Sequence, residues 1–352
     1  MKKIKIGNKV IGEEGHCFVI AEAGVNHNND VNRAKDLIKK AVEAGADAIK
    51  FQTYKAEKLT TKTAPRYWDP ALDTDGGGTQ YDTFKRIDSL SIAAYVELKK
   101  YADKLGIVFL STPFDLDSVD ILEQISVDVY KIASADIIDH LLIRKVAKTG
   151  KPIILSTGAA TIKDIEDVIA VIKAEGNEKI IIQHCMLSYP CDDKDANLKK
   201  MVILQEKFSD IPVGYSDHTR GITIPIVAVA LGAKTIEKHY TVDKSLPDSP
   251  DHGFAVDPNE LKKLVDGVRK AEKSIGKFID GHYFVEDAAY KFQRKSVVSL
   301  KKIKKGEVIT VNMIANKRPG TGISPKEFDK VIGKKANVDI EEDHVITYDM
   351  IC

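Results

Sequence analysis

The chain has 352 residues, 43% of them hydrophobic, and a chain of this length and composition is expected to form one large domain together with a smaller one. Lys and Arg number 53 and Asp and Glu 52, so no basic field argues for a nucleic acid or an anionic membrane as partner. No apolar run approaches the roughly 18 residues of a membrane span, and the start of the chain lacks the apolar core of a signal sequence. Small molecules or protein are therefore the expected partners, and the cytoplasm is the expected location.

The four cysteines, Cys17, Cys185, Cys191 and Cys352, show neither a CxxC spacing nor companion histidines at zinc-finger spacing. The sequence therefore predicts reduced thiols, with no disulfide framework and no structural zinc.

Short runs rich in valine and isoleucine alternate along the chain with longer segments of helical period. Near the start of the chain, residues 3–12 (KIKIGNKVIG) predict a hairpin that turns at Gly7-Asn8 and closes the floor of a barrel. Eight strands are predicted after it, at 18–21, 48–52, 108–111, 129–132, 152–156, 180–183, 213–215 and 235–238.

Helical segments are predicted between the strands, among them 31–44, 92–105, 162–174 and 259–274. Strands that alternate with helices indicate parallel strands joined by crossover helices. Eight of them favour an α/β fold of the closed (β/α)₈ TIM-barrel type.

Polar residues interrupt the apolar pattern in one kind of place, directly after a strand. The stretch GYSDHTRG at 214–221 is an example, because four polar side chains follow the seventh predicted strand. In a (β/α)₈ barrel the carboxyl ends of all strands share one rim, so such residues converge on one pocket although they are distant in sequence.

The pattern changes after about residue 276. A charged, unpatterned segment is followed by short β-like runs and turns, which indicates a second domain of about 60 residues that is small for independent stability. The predicted boundaries are 1–276 for the barrel with its hairpin, 277–291 for a linker and 292–352 for the small β-rich domain. Within the barrel domain, the glycine-rich stretch 73–78 is expected to be mobile.

Nine short motifs occur in a fixed order along nearly the whole chain: AEAGVNHN, KFQTY, FLSTPFD, YKIAS, ILSTG, HC with a later YP, GYSDHT, IEKH and KRPGTGISP. In these motifs the chain resembles the sialic acid synthase family, which includes N-acetylneuraminate, legionaminate and pseudaminate synthases. The resemblance implies a (β/α)₈ barrel followed by an antifreeze-like (SAF) domain. It also implies a homodimeric transferase that condenses phosphoenolpyruvate with an N-acylated hexosamine such as N-acetylmannosamine.

His218 and His239 follow the seventh and eighth predicted strands, which are adjacent walls of a barrel. Two imidazoles at that position suit one divalent cation that keeps positions open for water and substrate oxygens, with Mn²⁺ expected and Mg²⁺ or Co²⁺ as alternatives. Taken singly, each histidine is more simply explained as a hydrogen-bonded residue of the rim.

Lys50 and Lys131 end the second and fourth predicted strands inside apolar runs, where an inward lysine needs an anionic partner. The resemblance assigns phosphoenolpyruvate to these lysines and to four hydroxyl residues. Each hydroxyl is otherwise explained as a helix cap, and each lysine as a solvent-facing strand end. The four hydroxyl residues are Thr112, Ser134, Ser156 and Ser216.

The sugar requires hydroxyl recognition near the metal, and the residues that match the family's sugar-facing side are Glu22, Gln52, Tyr189 and Asp251. Glu22 is suited to accepting a proton or anchoring the sugar, while an ion pair with Lys50 is the alternative. Asp251 is otherwise a turn residue. By the same resemblance, Arg318 of KRPGTGISP reaches the sugar in the active site of the other subunit, although its spacing alone indicates an ordinary surface arginine.

Two departures from the family pattern bear on the substrate. Asp136 stands where many relatives have a glutamate, and Met186 and Leu187 stand where polar residues are common. The role of the glutamate and one phosphoenolpyruvate contact are therefore expected to be altered.

Three other functions remain open on the residues alone. A different metal-dependent phosphoenolpyruvate-condensing sugar-acid synthase shares the barrel but does not explain the second domain. A metal-dependent hydrolase requires a third strong metal ligand. A carbohydrate- or ice-binding protein does not explain the charged residues at the strand ends.

Overall fold

The computed structural model describes residues 1–12, 15–68, 77–87, 90–247 and 249–352. The chain forms two compact units, Met1–Gly276 and Lys277–Cys352. The segment 73–78 that was expected to be mobile lies largely outside the described residues.

The first unit begins with an antiparallel hairpin, β1 (Ile4–Ile6) and β2 (Lys9–Ile11), in which Ile4 pairs with Ile11. Gly7 occupies the turn with φ of 56°, a conformation that favours glycine. The isoleucines of the hairpin pack against apolar side chains from the barrel strands, including Phe18, Val108 and Ile181. This packing confirms that the hairpin closes one end of the barrel.

Eight parallel strands follow and close into a barrel, which confirms the predicted fold. Each strand pairs with its neighbour in sequence, and the last pairs with the first. The strands are β3 (Phe18–Gly24), β4 (Ala48–Thr53), β5 (Val108–Pro113), β6 (Tyr130–Ile132), β7 (Ile153–Ser156), β8 (Ile180–Cys185), β9 (Val213–Asp217) and β10 (Thr235–His239).

Helices surround the barrel and bury their apolar faces against it. Local chemistry sets their ends: Asp30 accepts hydrogen bonds from Asn32 N and Arg33 N at the start of the first helix, and Gly45 ends it with φ of 84°. The helices are α1 (Val31–Ala44), α2 (Ala56–Leu59), α3 (Gln80–Ile87), α4 (Ile92–Leu105), α5 (Leu116–Gln124), α6 (His140–Lys148), α7 (Ile162–Ala174), α8 (Leu198–Lys207), α9 (Thr223–Ala230) and α10 (Pro258–Ile275).

The strand register brings the predicted polar residues into rows at the carboxyl ends. His239 is opposite Glu22 between β10 and β3, and Glu22 is opposite Lys50 between β3 and β4. Gln52 is opposite Thr112 between β4 and β5. Because successive side chains of a strand point to opposite faces, residues two apart, such as Lys50 and Gln52, share the interior.

The second unit contains α11 (Asp287–Phe292), the antiparallel pair β11 (Ser296–Ser299) and β12 (Ile314–Lys317), and α12 (Phe328–Val331). Isolated bridges such as Val298 with Val345 and Ile303 with Ile340 extend the pairing. Its own small core includes Val297, Ile309 and Ile346. In the part of the chain that the structure describes, no helix combines the length and hydropathy of a membrane span.

Candidate active site

A cavity of about 570 Å³ opens at the carboxyl ends of the barrel strands. Its volume is typical of small-molecule sites. Every predicted site residue of the first unit lines it: Glu22, Lys50, Gln52, Thr112, Lys131, Ser134, Ser156, Tyr189, Ser216, His218, His239 and Asp251.

Two buried lysines and two buried glutamates form a connected ionic network in the cavity. Lys50 Nζ lies 2.8 Å from Glu22 Oε2. The ion pair between Glu22 and Lys50, which was the alternative explanation for Glu22, is therefore present, and it lies within the site itself. Lys131 Nζ lies 3.1 Å from Glu237 Oε1, and Lys50 Nζ lies 3.7 Å from the same oxygen. Glu237 is therefore a shared counter-ion of both lysines.

Glu237 was not among the predicted site residues, although strand periodicity contained a signal for it. If His239 points into the barrel, the residue two positions before it on the same strand must also point inward, and Lys238 between them must point outward. The structure shows this arrangement, because Glu237 and His239 line the cavity.

Burial and the ionic contacts shift the protonation of the network. Burial raises the pKa of Glu22 despite the nearby Lys50. Burial also raises the pKa of Glu237, but Lys131 and Lys50 outweigh it and lower that pKa to about 2. Burial lowers the pKa of Lys131, against the attraction of Glu237. Glu237 is thus held as a carboxylate, while Glu22 is the carboxyl better suited to proton exchange.

The four predicted hydroxyl residues take different roles in the cavity wall. Thr112 Oγ1 accepts a hydrogen bond from Lys50 Nζ at 3.1 Å, and Ser216 Oγ donates to Glu237 Oε1 at 3.1 Å. Ser134 Oγ accepts a hydrogen bond from Gly158 N at 2.9 Å. Ser156 Oγ is buried and has no hydrogen-bond partner among the described residues, as expected of a group aimed at a ligand.

The two predicted metal ligands lie side by side, with ring centroids 5.2 Å apart. His218 Nδ1 lies 2.6 Å from the Met186 carbonyl oxygen and donates to it. This bond places the proton on Nδ1 and leaves Nε2 as a lone-pair donor. His239 Nδ1 lies 3.2 Å from Asp251 Oδ2, and it makes no hydrogen bond of good geometry with any residue that the structure describes.

The imidazoles have opposite electrostatic surroundings. Burial, together with the neighbouring His239, lowers the pKa of His218 to about 3, so that ring stays neutral. Burial also lowers the pKa of His239, but the Asp251 carboxylate outweighs it and raises the pKa.

These residues fit a divalent cation with an incomplete set of protein ligands. A neutral imidazole with a fixed tautomer and a second buried imidazole that lies beside the Asp251 carboxylate are suitable donors, since a carboxylate behind a histidine orients the ring. Among the described residues, no group of three or more His, Cys, Asp or Glu side chains is arranged to hold a metal. Water and substrate oxygens would have to complete the coordination.

An aromatic and aliphatic wall faces this polar floor. Tyr189 packs on His218 with ring centroids 4.0 Å apart and contacts Phe254 at 6.0 Å. Burial raises the pKa of Tyr189 well above its ordinary value, so its hydroxyl remains a hydrogen-bond donor. Other apolar side chains of the wall are Val25, Tyr54, Leu59, Tyr67, Trp68, Phe84, Ile87, Phe114 and Leu187.

Both departures from the family pattern lie in or beside the cavity. Asp136 lines it, and its buried Oδ2 has no hydrogen-bond partner within the part of the chain that the structure describes. Burial and the nearby Asp139 raise the pKa of Asp136 to about 7. Leu187 also lines the cavity, whereas Met186 contributes its carbonyl oxygen to His218.

The loop that carries Asp251 is attached to the loop after β3. Ser249 Oγ donates to Asn26 Oδ1 at 2.7 Å, and His252 Nε2 lies 3.1 Å from Asn28 Oδ1. The two asparagines of the AEAGVNHN motif therefore position the acid beside His239, which is a role that their place in sequence did not indicate.

Arg318 belongs to the second unit. It directly follows β12 and is exposed, and no ion pair of this side chain occurs among the described residues.

A family model described as the NeuB family matches residues 37–280, and one described as the SAF domain matches residues 294–351. The chain belongs to the NeuB family. The resemblance to sialic acid synthases, together with the appended SAF domain, is thereby confirmed.

Two relatives resemble this NeuB family chain over nearly its whole length. An N,N'-diacetyllegionaminic acid synthase of Campylobacter jejuni is 41% identical over 331 residues, covering 94% of this chain and 98% of the relative. A protein of the same name from Legionella pneumophila is 38% identical over 349 residues, covering 98% and 97%.

Among solved structures, the N-acetylneuraminic acid synthetase of Leptospira borgpetersenii is similar to this chain, with 36% identity and a TM-score of 0.72. The match covers 82% of this chain and 95% of that one. These relatives support an enzyme with synthase activity.

Proposed function

We propose that this NeuB family protein is a nonulosonic acid synthase, a transferase that joins phosphoenolpyruvate to an N-acylated hexosamine and releases inorganic phosphate. One observation carries the proposal: two buried lysines, a cluster of hydroxyls and two adjacent imidazoles share a single cavity. The names of the similar relatives support the same class of reaction.

The anionic substrate is best placed at the lysine side of the cavity. Lys50 and Lys131 supply positive charge where water is largely excluded, and Ser156 and Ser216 supply nearby hydroxyls. Preorganised charges in such a setting stabilise both the bound anion and the charge that develops during reaction.

In the proposed reaction, C3 of phosphoenolpyruvate attacks the aldehyde carbon of the open-chain sugar and forms the new carbon–carbon bond. The aldehyde oxygen takes up a proton, and positive charge develops at C2. Water adds at C2 and loses a proton, and the C2–O bond to phosphate then breaks. Lys50 and Lys131 hold the anion during these steps, and Glu22 is placed to exchange protons.

A divalent cation held by His218 and His239 would supply Lewis-acid polarisation of the sugar aldehyde. Mn²⁺ is the proposed ion, with Mg²⁺ and Co²⁺ as alternatives, since an imidazole pair with open positions is compatible with all three. Asp251, beside His239, and Tyr189, packed against His218, are proposed to contact the sugar close to that ion.

The acceptor is proposed to carry acylamino groups and no phosphate. Among the described residues, Lys50 and Lys131 are the lysines that line the cavity and no arginine does. We assign both lysines to phosphoenolpyruvate. The opposite wall is aromatic and aliphatic, which suits methyl groups and the apolar face of a sugar. The relatives named as diacetyllegionaminic acid synthases support this choice.

The working form is proposed to be a cytoplasmic homodimer in which Arg318 of one subunit contacts the sugar bound by the other. Large apolar side chains before and within α11 are exposed on the single chain, including Phe278, Phe284 and Val285. Such a concentration of exposed apolar surface supports a protein contact. Arg318 is exposed and offers a bidentate donor for an acyl or hydroxyl oxygen.

The deciding experiment measures phosphate release from phosphoenolpyruvate with a panel of acceptors. A diacetamido-trideoxyhexose or N-acetylmannosamine should support turnover, and N-acetylmannosamine 6-phosphate should be poor. Phosphoenolpyruvate labelled with ¹⁸O in the bridging oxygen should lose its label to phosphate. Retention of the label in the sugar acid, or no release with any acceptor, would contradict the proposal.

A metal-dependent hydrolase is the weaker candidate. It requires a third strong ligand, and the described residues contain no such cluster.

A further inference from the structure

A second buried ion pair lies directly behind the two imidazoles. Asp217 precedes His218 at the end of β9, and Lys238 precedes His239 at the end of β10. The strand register places Asp217 opposite Lys238, and both side chains are 0% exposed.

This pair faces away from the cavity. Ser216 and Glu237, which alternate with it along the two strands, line the cavity, whereas Asp217 and Lys238 do not. The pair is therefore separated from bound substrates by the strands themselves. Any effect on chemistry must pass through the cavity residues beside the pair on the two strands, and these include His218 and His239.

The pair is connected to both sides of His218. Lys238 Nζ donates to Asp217 Oδ2 at 2.7 Å and also to the Thr219 carbonyl oxygen. Thr219 N donates to Asp217 Oδ1 at 2.9 Å, and Thr219 Oγ1 donates to Asp217 Oδ2 at 3.0 Å. These four hydrogen bonds join Asp217, Thr219 and Lys238. They therefore fix the backbone on both sides of His218 and connect it to the strand that carries His239.

Stability alone gives a poor account of such a pair. Moving two opposite charges out of water costs about as much free energy as their attraction returns, and apolar replacements are often equally stable. A fixed geometry is a more specific consequence, because the hydrogen bonds of Asp217 are directional and connect two adjacent strand ends.

We propose that Asp217 and Lys238 are positioning residues that set the separation and orientation of His218 and His239. This inference rests on the proposed metal-binding role of the histidines. Groups that hydrogen-bond a metal-ligating histidine change metal affinity by about 10- to 100-fold when replaced, and we expect a loss of the same order when the strand ends that carry both ligands lose their ion pair.

The test is the double variant Asp217→Asn/Lys238→Met, which removes both charges and leaves none unpaired. Its affinity for Mn²⁺, measured by electron paramagnetic resonance of the free ion, should fall by about 10- to 100-fold while the protein remains folded. Thr219→Val is a milder variant that keeps the ion pair, and it should show a smaller loss in the same direction.

A matched control removes a different ionic contact of the same barrel. Asp47→Asn/Arg269→Met breaks a contact of 2.8 Å between residues that do not line the cavity. This variant should lose thermal stability and keep the Mn²⁺ affinity of the wild type.

A second readout needs no metal. In ¹⁵N spectra of histidine-labelled protein, His218 of the wild type should show a single tautomer with the proton on Nδ1, and the double variant should show averaging between tautomers. Unchanged Mn²⁺ affinity together with unchanged histidine spectra would overturn the inference. If the wild type shows no His218-dependent Mn²⁺ binding, the metal assignment fails, and the histidine spectra alone decide whether the ion pair positions the rings.

Discussion

Lys131 and Glu237 meet across the full width of the barrel, with Nζ 3.1 Å from Oε1, although β6 and β10 lie on opposite sides of the closed sheet. Each side chain is only 4% exposed. An anionic substrate that binds Lys131 must therefore share that lysine with a carboxylate already in place.

Replacing Glu237 with glutamine should destabilise the protein by roughly 2–4 kcal/mol, because Lys131 and Lys50 lose a buried counter-ion. Phosphoenolpyruvate should then raise the melting temperature more in the variant than in the wild type, since the ligand replaces the missing charge. Thermal unfolding with and without the ligand measures both effects.

Glu272→Gln is the matched control for this experiment, because Glu272 pairs with Arg269 away from the cavity. Its melting temperature should respond to phosphoenolpyruvate as the wild type does. Equal ligand-induced shifts in Glu237→Gln and the wild type would show that Glu237 does not compete for the lysines.

Asp136→Asn should make stability less sensitive to pH. The pKa of Asp136 is raised from 3.8 to about 7 by burial and by Asp139, so the folded protein holds a proton that the unfolded chain has released. The stability of the wild type therefore falls as the pH rises through about 7. At about pH 8 the asparagine variant should be more stable by roughly 1–2 kcal/mol, a figure discounted for partial exposure, and at about pH 4 the difference should vanish.

Denaturant unfolding of both proteins across this pH range measures the effect. A difference that stays constant with pH, or that grows toward acid, would show that the carboxyl is not held in its protonated form.

His218→Ala and His239→Ala should each abolish phosphate release and weaken Mn²⁺ binding while the barrel remains folded. Both rings lie at the ends of strands and line the cavity, and neither belongs to the apolar core between the strands and the helices. His184→Gln is the control, because His184 is a buried histidine of β8 whose Nε2 lies 2.9 Å from the Ala196 carbonyl oxygen outside the cavity. Metal titration and circular dichroism are the measurements, and wild-type metal content in either alanine variant would remove that residue from the ligand set.

Arg318→Ala should raise the Michaelis constant for the sugar far more than that for phosphoenolpyruvate, because its proposed contact is with the sugar alone. Lys317→Ala is the neighbouring control, since Lys317 forms an exposed ion pair with Asp343 and should leave both constants unchanged. Mixing Arg318→Ala chains with His218→Ala chains should restore activity, because a mixed dimer carries one intact shared site. Mixed dimers that form but stay inactive would refute the proposal that Arg318 contacts the sugar bound by the partner subunit.

The barrel was predictable because its strands and helices carry strong local patterns. The predicted helices 31–44, 92–105 and 162–174 agree with α1, α4 and α7 to the residue, since capping residues such as Asp30, Ser91 and Thr161 mark their starts. Six of the eight predicted strands end too early, as at 213–215 against Val213–Asp217, because polar residues such as Ser216 look like loop residues although they belong to the barrel interior.

Which residues line the cavity was largely predictable, but which of them contact each other was not. The resemblance selected residues that converge on one cavity, yet it did not indicate that Glu237 joins both lysines or that Asn26 and Asn28 hold the loop of Asp251. These contacts join residues far apart in sequence, and no local pattern encodes which partner a buried polar atom will meet.

By itself, the sequence determined the order of strands and helices, the presence of two domains and the residue types at the barrel rim, because period, caps and turn residues act over a few positions. Only the tertiary structure decided which partners the neighbouring residues Glu237 and Lys238 meet. Closure of the barrel turns one face of each strand inward, so Glu237 meets the lysines of β4 and β6 while Lys238 meets Asp217 on the outer face. The same closure converts charges that would be costly to bury singly into paired groups around a cavity.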